Sequence, residues 1–215
     1  MEKYFDNYFD MVYFINIPKR VDRYNNVMNM FEILNITKYK KIDAVEVIET
    51  SGQTNKISVS SQSCTLSHMS CIQDAIDNNY NQICIFEDDF CFNQDDPKIQ
   101  ENLTEHLNYC FNFLKNNDWD IFYFDNIISF TKINQMIVKI NRFNNIPFIG
   151  QIKRKRHTHS YALSKPMFQR LLDLQKSNNE RNDINLGNIV SDKKYVYFKG
   201  IFDQLLNEKS DNIWN

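Results

Sequence analysis

The stretch QICIFEDDF, residues 82–90, runs through four consecutive apolar residues and then closes on three acids. So short an apolar run, flanked by polar residues, has the length of a buried strand rather than of a helix. A strand that is apolar on both faces belongs inside a sheet covered on each side, as parallel sheets are. Glu87, Asp88 and Asp89 therefore stand at the carboxyl end of the most hydrophobic strand in the chain. Three adjacent carboxylates repel one another, and a divalent cation between them relieves the repulsion. Mg²⁺ or Mn²⁺ suits such oxygen ligands and bridges a carboxylate to a pyrophosphate. The bland alternative is a solvated acidic turn, but this run is joined directly to a buried strand.

Working outward, VYFINI (12–17), closed by Pro18, reads as a second buried strand. Val21, Tyr24, Val27, Met28, Phe31 and Leu34 follow at helical spacing. KKIDAV (40–45) is a short strand, and the polar residues 46–63 read as a loop. A helix over 65–80 presents Leu66, Met69, Ile72, Ile76 and Tyr80 along one face and leads into the acidic strand. Beyond that strand, Ile99, Leu103, Leu107, Cys110 and Leu114 predict a single helix, followed by the buried strand WDIFYFDN (119–126). Within 127–156 the one readable element is a strand at QMIVKI (135–140). HSYALS (159–164) is a strand that feeds a helix with Ser164 as N-cap and Pro166 in its first turn, and KYVYFKG (194–200) is the last strand. Strands alternating with helices imply an α/β fold, a mainly parallel sheet with helices on both faces. Ligands of such sheets bind at the carboxyl ends of the strands.

Composition sets limits. The 215 residues are 42% hydrophobic and 14% aromatic, with four Gly and four Pro and no linker-like run, which predicts one domain. A formal net charge of −2 provides no broad field for nucleic acid or anionic membrane, so an anionic ligand must be held locally. MEKYFDNYFD has early acids and no apolar core, so no signal peptide is read and a cytoplasmic location is expected. No apolar run is long enough to cross a bilayer. The five cysteines fit no zinc spacing and read as reduced thiols.

Three further stretches carry candidate chemistry. Lys19, Arg20 and Arg23 surround the first turn of a helix, where a bound anion would offset their misfit with the dipole; a solvated face is the alternative. In SCTLSHMSC (63–71), Ser67 and His68 fall in a first helical turn, where the His either bonds a phosphate or sugar hydroxyl or is structural. KRKRH (153–157) either clamps a pyrophosphate or is a solvated loop, and His157 or His159 offers a third metal ligand.

Taken in order, VYFINIPKRVDR, KKIDAV, SCTLSHMSCIQDAI, ICIFEDDF and HSYALSKPMFQRLL resemble glycosyltransferase family 25, which includes bacterial lipooligosaccharide and procollagen galactosyltransferases. Ser63 stands where the family has Gly, and residues 46–63 lack the family's glycine-rich approach. The resemblance implies a GT-A-type nucleotide-sugar-binding fold spanning residues 1–215 as one domain. Its nucleotide-sugar half would cover about residues 10–126 and its acceptor part about 127–215. It implies an inverting, Mn²⁺- or Mg²⁺-dependent transfer of a hexose, galactose or glucose, from a UDP-sugar to a hydroxyl of a glycan, lipooligosaccharide or protein. Donor contacts are then expected from Ile15, Asn16, Pro18, Arg20, Arg23, Asp43, Ser67, His68, Glu87 and Asp88. Asp88, Asp89 and His159 would hold the metal, and Asp183, with Asp203 behind it, would supply the catalytic base. The rival readings are an inactive family member acting as a binding module and a metal-dependent phosphodiesterase or nuclease using the same acids. Near-neutral charge argues against a nuclease.

Overall fold

The computed structural model describes residues 1–47, 58–125, 141–142, 148–153, 155, 158–178 and 180–205. Its first apolar strand, β1 (Met11–Asn16), is preceded by a short helix, α1 (Tyr4–Tyr8), and followed by α2 (Val21–Leu34). Asn35 ends α2 in the left-handed region (φ 53°), a conformation Asn tolerates better than most residues, and its N–H reaches back to Glu32 and Phe31. Next come β2 (Tyr39–Asp43), α3 (Val59–Asp77), β3 (Gln82–Glu87) and a short β4 (Phe90–Phe92). After α4 (Lys98–Glu101) and α5 (Leu103–Asn116) the chain forms β5 (Ile121–Tyr123), β6 (Asn141–Arg142) and β7 (Ile149–Gln151). It continues through β8 (Ser160–Ser164), α6 (Lys165–Asn178), α7 (Asn182–Asn188), β9 (Lys194–Tyr197) and β10 (Phe202–Gln204).

Among the described residues the main sheet has eight strands in the order β2-β1-β3-β8-β5-β9-β7-β6. The pairings make six of them run one way, with β8 and β7 running against them. A mainly parallel α/β sheet is thus present. β8, from the C-terminal part of the chain, lies between β3 and β5, so the two expected halves share one sheet. β10 pairs with β4 as a separate antiparallel ribbon.

Side-chain alternation divides the core in two. Val12 and Phe14 of β1, Cys84 and Phe86 of β3 and Phe122 of β5 join Phe5 of α1, Phe31 of α2 and Phe111 of α5 on one face. Tyr13, Ile15, Ile83, Ile85 and Tyr123 face the other way, against Ile72 of α3, Leu171 of α6 and Leu186 of α7. Helices cover both faces.

Several boundaries depart from the sequence reading. The expected loop 46–63 ends earlier, because Ser58 caps α3 by accepting from the Ser61 N–H, and the helix begins at Val59. Ser67 and His68 therefore lie midway along α3, not in a first turn, and Tyr80 falls past its end. The single helix expected after the acidic strand breaks at Asn102 (φ −110°, ψ 28°), the residue between α4 and α5. Ser164 does end β8 immediately before α6, as expected, and its hydroxyl donates to the Asp120 carbonyl (3.5 Å). QMIVKI and His157 lie outside the described residues. No helix among the described residues is long and apolar enough to cross a membrane.

Candidate active site

The alternation that divides the core also separates the three acids. Ile15 of β1 pairs in register with Glu87 of β3, and both continue the face that meets α3. Asn16 and Asp88, one position on, turn to the α2 face. There Asp88 is held on both oxygens: one accepts from Asn16 Nδ2 (2.8 Å) and the Ile17 N–H (3.4 Å), the other from an Arg23 guanidinium nitrogen (3.0 Å). Burial pushes the Asp88 carboxyl above its ordinary range, although Asn16 and Arg23 pull the other way. Arg23, 5% exposed, also stands 3.8 Å from Asp89.

Glu87 meets a different set of partners. The Thr158 hydroxyl donates to Oε1 (2.5 Å), His68 Nε2 lies 3.2 Å from the same oxygen, and His159 Nδ1 lies 3.6 Å from Oε2. Burial alone would raise this carboxyl, but the two histidines outweigh it and hold Glu87 well below the usual carboxylate range. An ionised carboxylate can only accept, so a neutral His68 donates through Nε2 and accepts at Nδ1 from the Tyr161 hydroxyl, 2.8 Å away. His159 also stands 3.7 Å from Asp89 Oδ1. Burial disfavours its charged form, yet Asp89 and Glu87 raise its pKa to about 10.

Asp89 is held from the C-terminal ribbon. Gln204 Nε2 donates to its Oδ2 (2.8 Å), and the Leu205 N–H donates to its carbonyl (2.9 Å). Asp89 Oδ1 is buried with no hydrogen bond among the described residues. Glu87, Asp89 and His159 each bring a ligand atom within 4.8 Å of the others, and two carboxylates with one imidazole are a donor set that suits Mn²⁺. An orphaned buried oxygen at that point fits a cation.

Glu87 and Asp89, but not His159, line one wall of a cleft of about 470 Å³ at the carboxyl ends of β1, β2 and β3. Ile15, Arg23, Ser67, His68, Glu87, Asp88 and Asp89, all singled out in the sequence, reach it, together with Lys19, Cys64 and Gln204. Asn16 stands behind the wall, 1% exposed, as the clamp on Asp88. Ser67 is a brace: it donates to the Ser63 carbonyl (2.7 Å) and accepts from the Val45 N–H (2.9 Å), tying the segment after β2 to α3. Burial and the nearby Glu87, Asp183 and Asp89 keep the Cys64 thiol well above its ordinary pKa.

Other expected residues lie off the wall. Pro18 is exposed, the Arg20 guanidinium is paired with Asp22 (2.7 Å), and Asp43, 66% exposed, pairs with Lys41. Asp183, on α7, bonds Arg181 across 3.4 Å and is near enough to raise the Cys64 thiol. Asp203 alternates with Gln204 on β10, so it points away from the side on which Gln204 reaches Asp89.

The sequence reading missed Thr158, Tyr161 and Gln204. It also missed a buried pair behind the site: Lys155 Nζ lies 2.6 Å from Asp125 Oδ2 and 4.9 Å from the centre of the Tyr123 ring. Asp125 had a visible signal, because it closes a buried strand as Glu87 does.

The model of glycosyltransferase family 25 (LPS biosynthesis protein) matches residues 9–186. The chain belongs to glycosyltransferase family 25. It is a glycosyltransferase of the α/β class. No curated protein matches it. Its fold is similar to that of a glycosyltransferase involved in the glycosylation of the major capsid of PBCV-1, at a TM-score of 0.51 and 11% identity over 93% of each chain. Looser likenesses are to A197 from STIV (TM-score 0.41, 10% identity, 87% of this chain and 81% of that one) and to a UDP-glucose pyrophosphorylase complexed with UDP-glucose (0.38, 10%, 85% and 66%). Both are too distant to carry an argument. In this family 25 chain, the matched region contains every residue of the cleft wall except Gln204.

Proposed function

We propose that the chain transfers a hexose, galactose or glucose, from a UDP-sugar to a hydroxyl of a glycan, lipooligosaccharide or protein, inverting the anomeric carbon. Glu87, Asp89 and His159 would hold the Mn²⁺ or Mg²⁺. The observation that carries this reading is the approach of these three side chains to one another, Glu87 and Asp89 from the cleft wall, with a buried Asp89 oxygen that has no hydrogen bond among the described residues. When bound, the cation supplies Lewis-acid stabilisation of the departing nucleotide diphosphate. His68, Thr158 and Gln204 fix the directions of Glu87 and Asp89. Asp88 acts by seating Arg23, whose charge would offset the negative charge that builds on the leaving group. Lys19, whose one ion pair among the described residues is an exposed one with Glu46 (3.6 Å), would meet the pyrophosphate. We assign proton removal from the acceptor hydroxyl to Asp183, since Asp203 is turned aside.

The test is release of free nucleotide from a panel of UDP-, GDP- and CMP-sugars with Mn²⁺, with EDTA and Asp89→Asn as controls. We expect metal-dependent release from one UDP-hexose, reduced at least 100-fold in Asp89→Asn. If no nucleotide sugar turns over, and calorimetry with Mn²⁺ present shows none bound, the reading fails.

A further inference from the structure

A second group of ligand-type side chains shares the cleft wall. Cys64 and His68 stand at i and i+4 on α3, so both project from one helical face toward Glu87. Cys64 Sγ, a ring nitrogen of His68 and a Glu87 oxygen all lie within 4.8 Å of one another. This cluster differs in kind from Glu87, Asp89 and His159, because a thiolate is a soft ligand that selects zinc-like ions over Mn²⁺ or Mg²⁺. The shared carboxylate has one oxygen for each side: Oε1 faces His68, and Oε2 faces His159.

We infer that Cys64, His68 and Glu87 form a binding site for a thiophilic divalent cation of the zinc class, with its fourth position open to the cleft. Around tetrahedral zinc, bonds of about 2.0–2.3 Å set ligand atoms roughly 3.3–3.8 Å apart, so the cluster must contract by about 1 Å. Cys64 is partly exposed on the cleft, which provides an entry path. The outer shell is in place: Tyr161, buried and 2.8 Å from His68 Nδ1, can accept as readily as donate. On binding, the thiol proton passes to solvent and the Nε2 proton is lost while Nδ1 gains one. Nδ1–H then donates to Tyr161, and one proton is released for each ion. Thiolate and carboxylate together neutralise the ion. The other four cysteines are buried, and none of them joins such a cluster among the described residues.

Two measurements on the full chain, stripped of metal by a chelator, decide the matter. In the first, Co²⁺ should give a thiolate-to-metal charge-transfer band at one equivalent, and Zn²⁺ should displace it. Cys64→Ser should lose the band and weaken Zn²⁺ binding at least tenfold, whereas Asp89→Asn, a change confined to the neighbouring cluster, should keep both. In the second, which needs no variant, Zn²⁺ but not Mn²⁺ should protect one thiol from alkylation, and peptide mapping should identify it as Cys64. No band in the natural chain, a band that survives Cys64→Ser, or protection of any other cysteine overturns the inference.

Discussion

Three consecutive acids, chemically near-identical, occupy three different environments. Asp88 is spent on Asn16, the Ile17 N–H and Arg23, whereas Asp89 keeps a buried oxygen with no hydrogen bond among the described residues. Substitutions at the two should therefore have opposite signatures. Asp88→Ala removes the carboxylate that Arg23 bonds at 3.0 Å, a charge-assisted hydrogen bond whose loss costs about 1.5–3 kcal/mol. We expect a denaturant midpoint lowered accordingly, with whatever folded protein remains still binding Mn²⁺. Asp89→Asn, which keeps the shape of the side chain, should lower the midpoint less than Asp88→Ala does, while Mn²⁺ binding, read by the loss of its free-ion paramagnetic signal, falls at least 100-fold. Equal effects on both readouts from the two variants would refute the division of labour. Gln204 offers a subtler check. Its amide orients Asp89 from β10, and losing such an outer partner typically weakens metal binding about 10- to 100-fold; Gln204→Ala should do so in the same titration without lowering the melting temperature. The EDD run was legible as a site, but the distinction among its members was not. It arises from strand alternation meeting α2 on one face and α3 on the other, which needs the sheet order.

Elements were legible where their residues are apolar and periodic, and illegible where polar bonds hold them. β1 and β3 were apparent from runs such as VYFIN and ICIF. The first two turns of α3, VSSQSC, were not, because Ser is an indifferent helix former. Here the turns rest on the Ser58 cap and on hydroxyl–backbone bonds such as Ser67 to the Ser63 carbonyl. α1 was missed for a related reason, since its five residues are too few to show a period, although Tyr4 and Phe5 pack into the core beside Phe111. Asp6 anchors α1 to the turn after α2 by accepting from the Thr37 N–H and hydroxyl and from the Lys38 N–H. Burial would raise its carboxyl, but these donors, with Lys3, bring it below its ordinary value. A folded pKa below the unfolded one means the stabilisation is complete above the unfolded value of 3.8 and disappears as pH falls through the lowered one. Asp6→Ala should thus lower stability by about 1–2 kcal/mol at neutral pH, and the gap from the natural chain should close in acid. A gap independent of pH would show that α1 is held by its aromatic side chains alone.

At the scale of the whole molecule, the fold class was readable but strand direction was not, because a short apolar run looks the same whether its neighbours run with it or against it. β8 is the telling case. Its antiparallel insertion between β3 and β5 brings Thr158 and His159, at its leading end, to the carboxyl end of β3. The reversed strand thereby supplies the imidazole that faces Glu87 and Asp89. The cation cluster is thus assembled from segments far apart in the chain, at residues 87–89, 158–159 and 204, and each is ordered only when the sheet and the β4–β10 ribbon have formed. A ligand that binds only this assembled state stabilises the entire fold by mass action, about 2.7 kcal/mol at a hundred times its dissociation constant. For a domain of this size each kcal/mol moves the melting temperature by about 2–4 °C, so saturating Mn²⁺ should raise it by roughly 5–10 °C. EDTA should reverse the shift, and Asp89→Asn should show little of it. Ca²⁺, which prefers more and longer oxygen contacts than two carboxylates and an imidazole provide, should give a smaller rise. A shift equally large in Asp89→Asn would place the stabilising ion elsewhere and separate the cluster from the transfer reaction.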